Sequence, residues 1–226
     1  MQEHNDYSNA LCAARCIADH AVDEGILRAN IPIRPVYHHM GAVLADSVLQ
    51  AGLNYSTIVL PRVQAILKRF PHATTLTAVI QIITTQGSGK FLQWQHHEKV
   101  SRFDGLVGFL ACSRIENTSD LGEALLDDDF RVDIQKVRGV GPKTVDYMAC
   151  LVGVDCIAVD RHIRGFAELA GLKGDGYHYL RDAFSFAADL LSISRREFDA
   201  SIWHFQATKN SRQMVLDFDC ADSCSN

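Results

Sequence analysis

The sequence predicts an all-α protein, and three observations carry that expectation. Apolar residues recur at the three- and four-residue spacing of one helix face in several separate segments. No run alternates apolar and polar residues as a half-buried strand would. Prolines, glycines and small capping residues interrupt the periodic segments at short intervals, so about ten short helices are expected rather than a few long ones. With 226 residues, 47% of them hydrophobic and only five prolines, the chain can bury one large core or two modest ones.

In chain order, an N-terminal helix is expected over about 8–23, separated from the rest by Pro32 and Pro35 in the stretch IPIRPV. The stripe Val59, Val63, Ile66, Leu67 and Phe70 marks the next helix. Asn54 or Ser56 can cap it after Gly52, while Pro61 should kink it or mark its true start. Phe70-Pro71-His72 ends it. The stretch 84–100 (TTQGSGKFLQWQHHEKV) is the least periodic and reads as a long loop or lid, with one helical turn around Trp94. Ser101 precedes the stripe Phe103, Leu106, Val107 and Leu110, and Thr118 or Ser119 opens a short helix holding Leu121, Leu125 and Leu126. Later stripes are Val145, Met148, Ala149 and Val152; then Leu180, Phe184, Ala188 and Leu191; then Phe198, Ile202 and Phe205. Each is read as a core face.

Composition narrows the classes of function. No stretch approaches the roughly 18 apolar residues of a membrane helix, and MQEHNDYSNA has neither the basic start nor the apolar core of a secretory signal. A soluble chain, cytoplasmic or nucleoid-associated, without membrane partners, is therefore expected. The seven cysteines (Cys12, Cys16, Cys112, Cys150, Cys156, Cys220 and Cys224) match no secreted disulfide framework and no tight metal cluster, so no metal or other cofactor is expected. The adjacent pairs His38-His39 and His96-His97, read as pointing to different sides of a helix, show no metal spacing. The net charge of −5 is unfavourable for a phosphate-binding protein, but it is unevenly spread. Asp127, Asp128 and Asp129 form one acidic run, and Asp217, Asp219 and Asp222 crowd the tail. Between residues 131 and 164 six basic side chains (Arg131, Lys136, Arg138, Lys143, Arg161, Arg164) outnumber four acids (Asp133, Asp146, Asp155, Asp160).

That stretch, RVDIQKVRGVGPKTVDYMACLVGVDCIAVDRHIR, carries the chemistry. A short amphipathic helix is expected to end near Arg138, Gly139-Val140-Gly141 to form a tight turn, and Pro142 to start a second helix. Glycines at 139 and 141 permit positive φ and let a ligand approach the main chain. The free N–H groups of the turn and helix start would then make a site for a phosphate oxygen, with Lys143 and Thr144 beside it. The turn is too short for a nucleotide-binding P-loop. Without further context it could equally be a plain corner between helices.

RGVGPKTVDYM followed by AVDRHIR resembles the helix-hairpin-helix and following aspartate of the DNA glycosylase superfamily that includes endonuclease III. The matching residues are the turn Gly139-Val140-Gly141, Lys143 two positions later, and Val159-Asp160-Arg161-His162, with Asp160 seventeen positions after Lys143. Upstream, ADSVLQAGLN is similar to the family segment in which a polar residue, here Gln50, fills the gap left by an extruded base. EFDASIWHF resembles the family's last barrel helix. The chain departs from endonuclease III in its tail, where Cys220 and Cys224 alone cannot hold a four-cysteine iron–sulfur cluster.

The resemblance implies a base-excision repair enzyme acting on double-stranded DNA that contains a damaged base or an abasic site. It implies two helical lobes, 39–152 ending in the hairpin and 1–38 plus 153–226, with the active site in the cleft between them, and a monomeric protein. Gly139, Val140, Gly141 and Thr144 would hold the DNA backbone, Gln50 would fill the gap, and Asp160 would stabilise charge developing on the sugar. Lys143 would attack C1′ and cut the strand by β-elimination. Two alternatives stay open: a monofunctional glycosylase in which Lys143 only touches phosphate, and a non-catalytic DNA-binding module. Asp160 could also be only a helix N-cap. His162 is read as structural and Trp94 and Trp203 as core, while the excised lesion is not specified by any motif.

Overall fold

The structure, a computed structural model, describes residues 2–28, 33, 36–172 and 176–222, with side chains for 9–28, 33, 36–172 and 176–208. Among the described residues every regular element is helical, and none is a strand. Pro32, Pro35 and Cys224 lie outside the described residues, as do the side chains of Asp217, Asp219, Cys220 and Asp222. The chain divides into two compact units, Pro35–Val154 and Met1–Arg34 with Asp155–Asn226.

The central helix of the first unit is α2 (Met40–Leu49), in which every residue is buried. It is apolar on all sides, as a helix surrounded by others must be, and packs against α3 (Leu60–Arg69), α4 (Leu76–Gln86), α6 (His97–Cys112) and α9 (Pro142–Leu151). Full burial of Val43, Leu44, Val48 and Leu49 contributes roughly 1.5–3 kcal/mol each. His39 starts this helix: its Nδ1 accepts from Ala42 N–H at 3.0 Å, and its Nε2 donates to Phe70 O at 2.8 Å. Those two bonds define the neutral tautomer with the proton on Nε2.

Both start signals of the 54–70 segment operate. Asn54 caps a π turn, Tyr55–Val59, by accepting from Thr57 N–H at 3.1 Å. The regular helix α3 then begins with Pro61 in its first turn. Ser56 is no cap; its hydroxyl donates to Asn54 Oδ1.

The stretch 84–100 is not a loop. Residues 84–86 finish α4, α5 (Ser88–Leu92) follows Gly87, and α6 starts at His97, leaving 93–96 outside helices. Each of these helices is short or begins in polar sequence, so the apolar period is interrupted while Phe91 and Leu92 are fully buried. Ser101 consequently lies inside α6 rather than before it. The histidine pairs are not on helices as expected: His38 and His39 precede α2, and His96 occupies the cap position of α6 with its ring 5.2 Å from that of His97.

Further along, α7 (Thr118–Ala124) is opened by Asn117 in a reciprocal capping box with Asp120, one residue earlier than expected. The Asn117 and Glu116 N–H groups hold the Asp120 carboxyl below its usual range. The acidic run starts α8 (Asp128–Ile134): Asp127 accepts from Phe130 N–H at 2.8 Å, and Asp128 and Asp129 face the positive end of the helix. Helix α8 stops at Ile134, short of Arg138, and Arg131 ties it to α9 through an ion pair with the buried Asp146.

In the second unit α1 (Gln2–Asp23) starts earlier than the expected residue 8 and packs along α11 (Tyr177–Leu190). Small side chains at Ala13, Ala14, Ala18 and Ala21 face Ala183, Phe184 and Ala187 in one core. Ile163 and Phe166 of α10 (Arg161–Leu169) and Phe198 and Ile202 of α12 (Arg195–Asp222) complete it.

Candidate functional site

Gly139 has φ +83°, a conformation that side-chain-bearing residues rarely adopt. A Cβ there would also lie 2.4 Å from Arg102 Nε, so the glycine lets the guanidinium lie against the main chain. Gly141 does not share this geometry: its φ of −116° is open to any residue, and a Cβ would meet nothing within 4 Å. Of the two glycines, only Gly139 is required by backbone conformation.

Gly141 is the N-cap of α9, and Pro142 is the first helical residue. The Gly141 carbonyl accepts from Thr144 and Val145 N–H at 2.9 and 3.1 Å, closing the first turn. Val140 N–H donates to Val137 O at 2.9 Å and its side chain is buried, so this amide is not available to a ligand. Among the described residues the N–H groups of Gly139 and Gly141 have no acceptor. Thr144 is buried at 6% exposure, on the inner face of the helix.

Lys143, also in that first turn, donates from Nζ to Gln50 Oε1 at 3.0 Å. Gln50 is the C-cap of α2, and its Nε2 is buried without a partner. Two residues 93 positions apart in the chain thus meet at the junction of α2 and α9.

Sequence reasoning missed two cations here. Lys99 donates to the carbonyls of Val48, Leu49 and Ala51 at 2.9, 3.2 and 2.7 Å, filling acceptors that the end of α2 leaves open. Burial first, then the charges of Arg102 and Lys143, push the Lys99 ammonium down to about 8. Arg102, one turn further along α6, has its Nε buried without a partner. Both lie in or next to the segment read as a loop, where no shared face was visible.

A third missed feature is Asp46, fully buried on α2 one turn before Gln50. Its Oδ2 accepts from the Tyr37 and Tyr55 hydroxyls at 3.3 and 3.2 Å, and its Oδ1 from Tyr147 at 2.9 Å. Burial and the neighbouring carboxylate push the Tyr37 phenol well above its ordinary value. The spacing of these four residues offers no local pattern by which to group them.

Asp160 belongs to the other unit, where it is the N-cap of α10. One oxygen, Oδ1, accepts from His162 and Ile163 N–H at 2.8 and 3.1 Å. Its second oxygen has no partner among the described residues. Burial of Ile157, Ala158 and Val159 just before it anchors this turn to the core. His162 is buried, with its ring 5.8 Å from that of Trp203. Neither tryptophan is fully buried; Trp94 lies under the Arg62 guanidinium, 5.1 Å from its ring centre.

Among the described residues no group of three or more His, Cys, Asp or Glu side chains is placed to hold a metal ion, and no helix is long and apolar enough to cross a membrane. No family model, curated protein or solved structure matches the chain.

Proposed function

We propose that the chain is a base-excision DNA glycosylase with an associated abasic-site lyase activity, using Lys143 and Asp160. The observation that carries this reading is the contact between Lys143 and Gln50. The resemblance nominates both residues, for different tasks on one extruded nucleotide, and they lie within hydrogen-bond distance although nothing local links them. On this reading 128–151 is the helix-hairpin-helix, the two units are the lobes of the enzyme, and Lys143 and Asp160 act on the same deoxyribose.

The steps use groups already in place. Extrusion of the target nucleotide costs roughly a few kcal/mol, which phosphate contacts offset. The unpaired N–H groups of Gly139 and Gly141 would donate to one phosphate, with the Arg102 guanidinium alongside. The free oxygen of Asp160 would face positive charge developing on the sugar as the base leaves with the bonding electrons. The neutral Lys143 amine forms the new bond to C1′. Loss of a proton from nitrogen and opening of the ring give a Schiff base. Removal of a C2′ proton then expels the 3′ phosphate by β-elimination.

Borohydride trapping on duplexes carrying an abasic site or a panel of damaged bases tests the proposal. A covalent adduct is expected from the wild type and none from Lys143→Gln. Base release by Lys143→Gln without strand cutting would establish the monofunctional alternative instead. If Asp160→Asn released base as fast as the wild type, the role given to Asp160 would be wrong. Binding without turnover on every lesion would reduce the protein to a DNA-binding module.

A further inference from the structure

The end of α2 brings two amines to one short stretch of backbone. Lys99, from α6, donates to the carbonyls of Val48, Leu49 and Ala51. Three acceptors use all three N–H bonds of an ammonium, whereas a neutral amine has only two. The negative end of the helix dipole favours the same charged form. Between Leu49 and Ala51 stands Gln50, whose side-chain oxygen takes the Lys143 amine, from α9, at 3.0 Å. Arg102 adds a further positive charge from α6, one turn beyond Lys99. The carboxylates on the helices that meet here are otherwise engaged: Asp46 of α2 by tyrosine hydroxyls, and Asp146 of α9 by Arg131.

We propose that Lys99 is a positioning residue for Lys143, a backbone-anchored positive charge that favours the neutral, nucleophilic form of the Lys143 amine. The inference rests on the lyase reading above. Repulsion between two ammonium groups acts on both, so the charge of Lys143 that lowers the Lys99 value also has its counterpart at Lys143. Lys99 is fixed by three carbonyls, and the attacking amine is the one that benefits. A lysine deprotonated near neutral pH needs no separate base before it attacks.

The test is single-turnover nicking of an abasic-site duplex from about pH 6 to 9.5 by the wild type, Lys99→Gln and Lys99→Arg. Without the charge, Lys143 keeps its proton to higher pH. Lys99→Gln should therefore nick on the order of three- to tenfold more slowly at pH 7, with its rise moved up by about half to one pH unit. It should approach the wild-type rate at the alkaline end, and Lys99→Arg should keep the wild-type profile. A rate lowered equally at every pH, or an unmoved profile, overturns the proposal. If Lys99→Gln does not fold, the Lys143 amine can be titrated directly in reductively ¹³C-methylated wild-type protein, its resonance assigned with Lys143→Arg. A Lys143 signal titrating at the ordinary lysine value overturns the proposal, and one well below it supports it. That titration also decides the matter if the wild type neither traps nor nicks, an outcome that would overturn the lyase reading alone.

Discussion

Gly41 and Gly108 both lie inside helices, yet alanine should act on them in opposite directions. Replacing glycine by alanine in a helix interior stabilises by about 1 kcal/mol through backbone entropy. At Gly108, in α6, a Cβ meets nothing within 4 Å, so that gain should appear in full. At Gly41, in α2, the Cβ would lie 2.9 Å from Phe91 Cζ, 3.2 Å from His39 Cε1 and 3.4 Å from Ala73 Cβ. Phe91 has Phe70 and Phe103 at ring distances of 5.3 and 5.5 Å and is fully buried, so it has little room to swing away. His39 is held by hydrogen bonds through both ring nitrogens. Overpacking of this kind costs about 1–3 kcal/mol, which outweighs the entropic gain. Gly41→Ala should thus be less stable than the wild type by about 1 kcal/mol and Gly108→Ala more stable by about the same amount. Urea unfolding followed by Trp94 fluorescence in a Trp203→Phe background reads the 35–154 unit by itself. A Gly41→Ala variant as stable as its parent would refute the reasoning and imply that α2, which carries Asp46 and Gln50, is loosely packed.

The buried Arg131–Asp146 pair gives a second expectation. Asp146→Ala leaves Arg131 without its carboxylate and should cost about 3 kcal/mol, whereas Arg131→Met with Asp146→Leu should recover most of that loss in the same urea assay. Equal losses in the single and double variants would show that the helix junction needs the charges themselves. The third expectation concerns pH. Lys99 titrates near 8 in the folded protein against a model value of 10.5, so between these values the unfolded chain holds more protons. The cost of keeping Lys99 charged is fully present below about pH 8 and is relieved as pH rises towards 10.5, so this group makes stability rise across that window. The rise should be smaller in Lys99→Gln, which urea melts at a series of alkaline pH values would show.

Helical class was legible because a period of 3.6 residues is written locally. Val63, Ile66, Leu106, Leu110, Val145, Met148, Phe184 and Phe198 are all buried as their spacing implies. The segment 84–100 failed for an equally local reason. It joins the end of one helix, a five-residue helix and the polar start of another, and none of these pieces completes an apolar face. With those helices unseen, Lys99 and Arg102 could not be assigned to the face beside the Gly139 turn.

What the sequence determined by itself is chain-local: a helical fold, a tight turn at Gly139, a helix begun by Pro142, and an aspartate placed to cap α10. Tertiary structure decided which of these residues meet. Gln50 reaches Lys143, Lys99 reaches the end of α2, and three tyrosines converge on Asp46. Those contacts depend on the packing of α2 against α6 and α9. Helix packing is set by the shapes of whole faces, so residues about 40–100 positions apart can share a site without any spacing to announce it. The chemistry proposed for Lys143 depends on that convergence, because a lysine's proton affinity is set by the charges and burial around it.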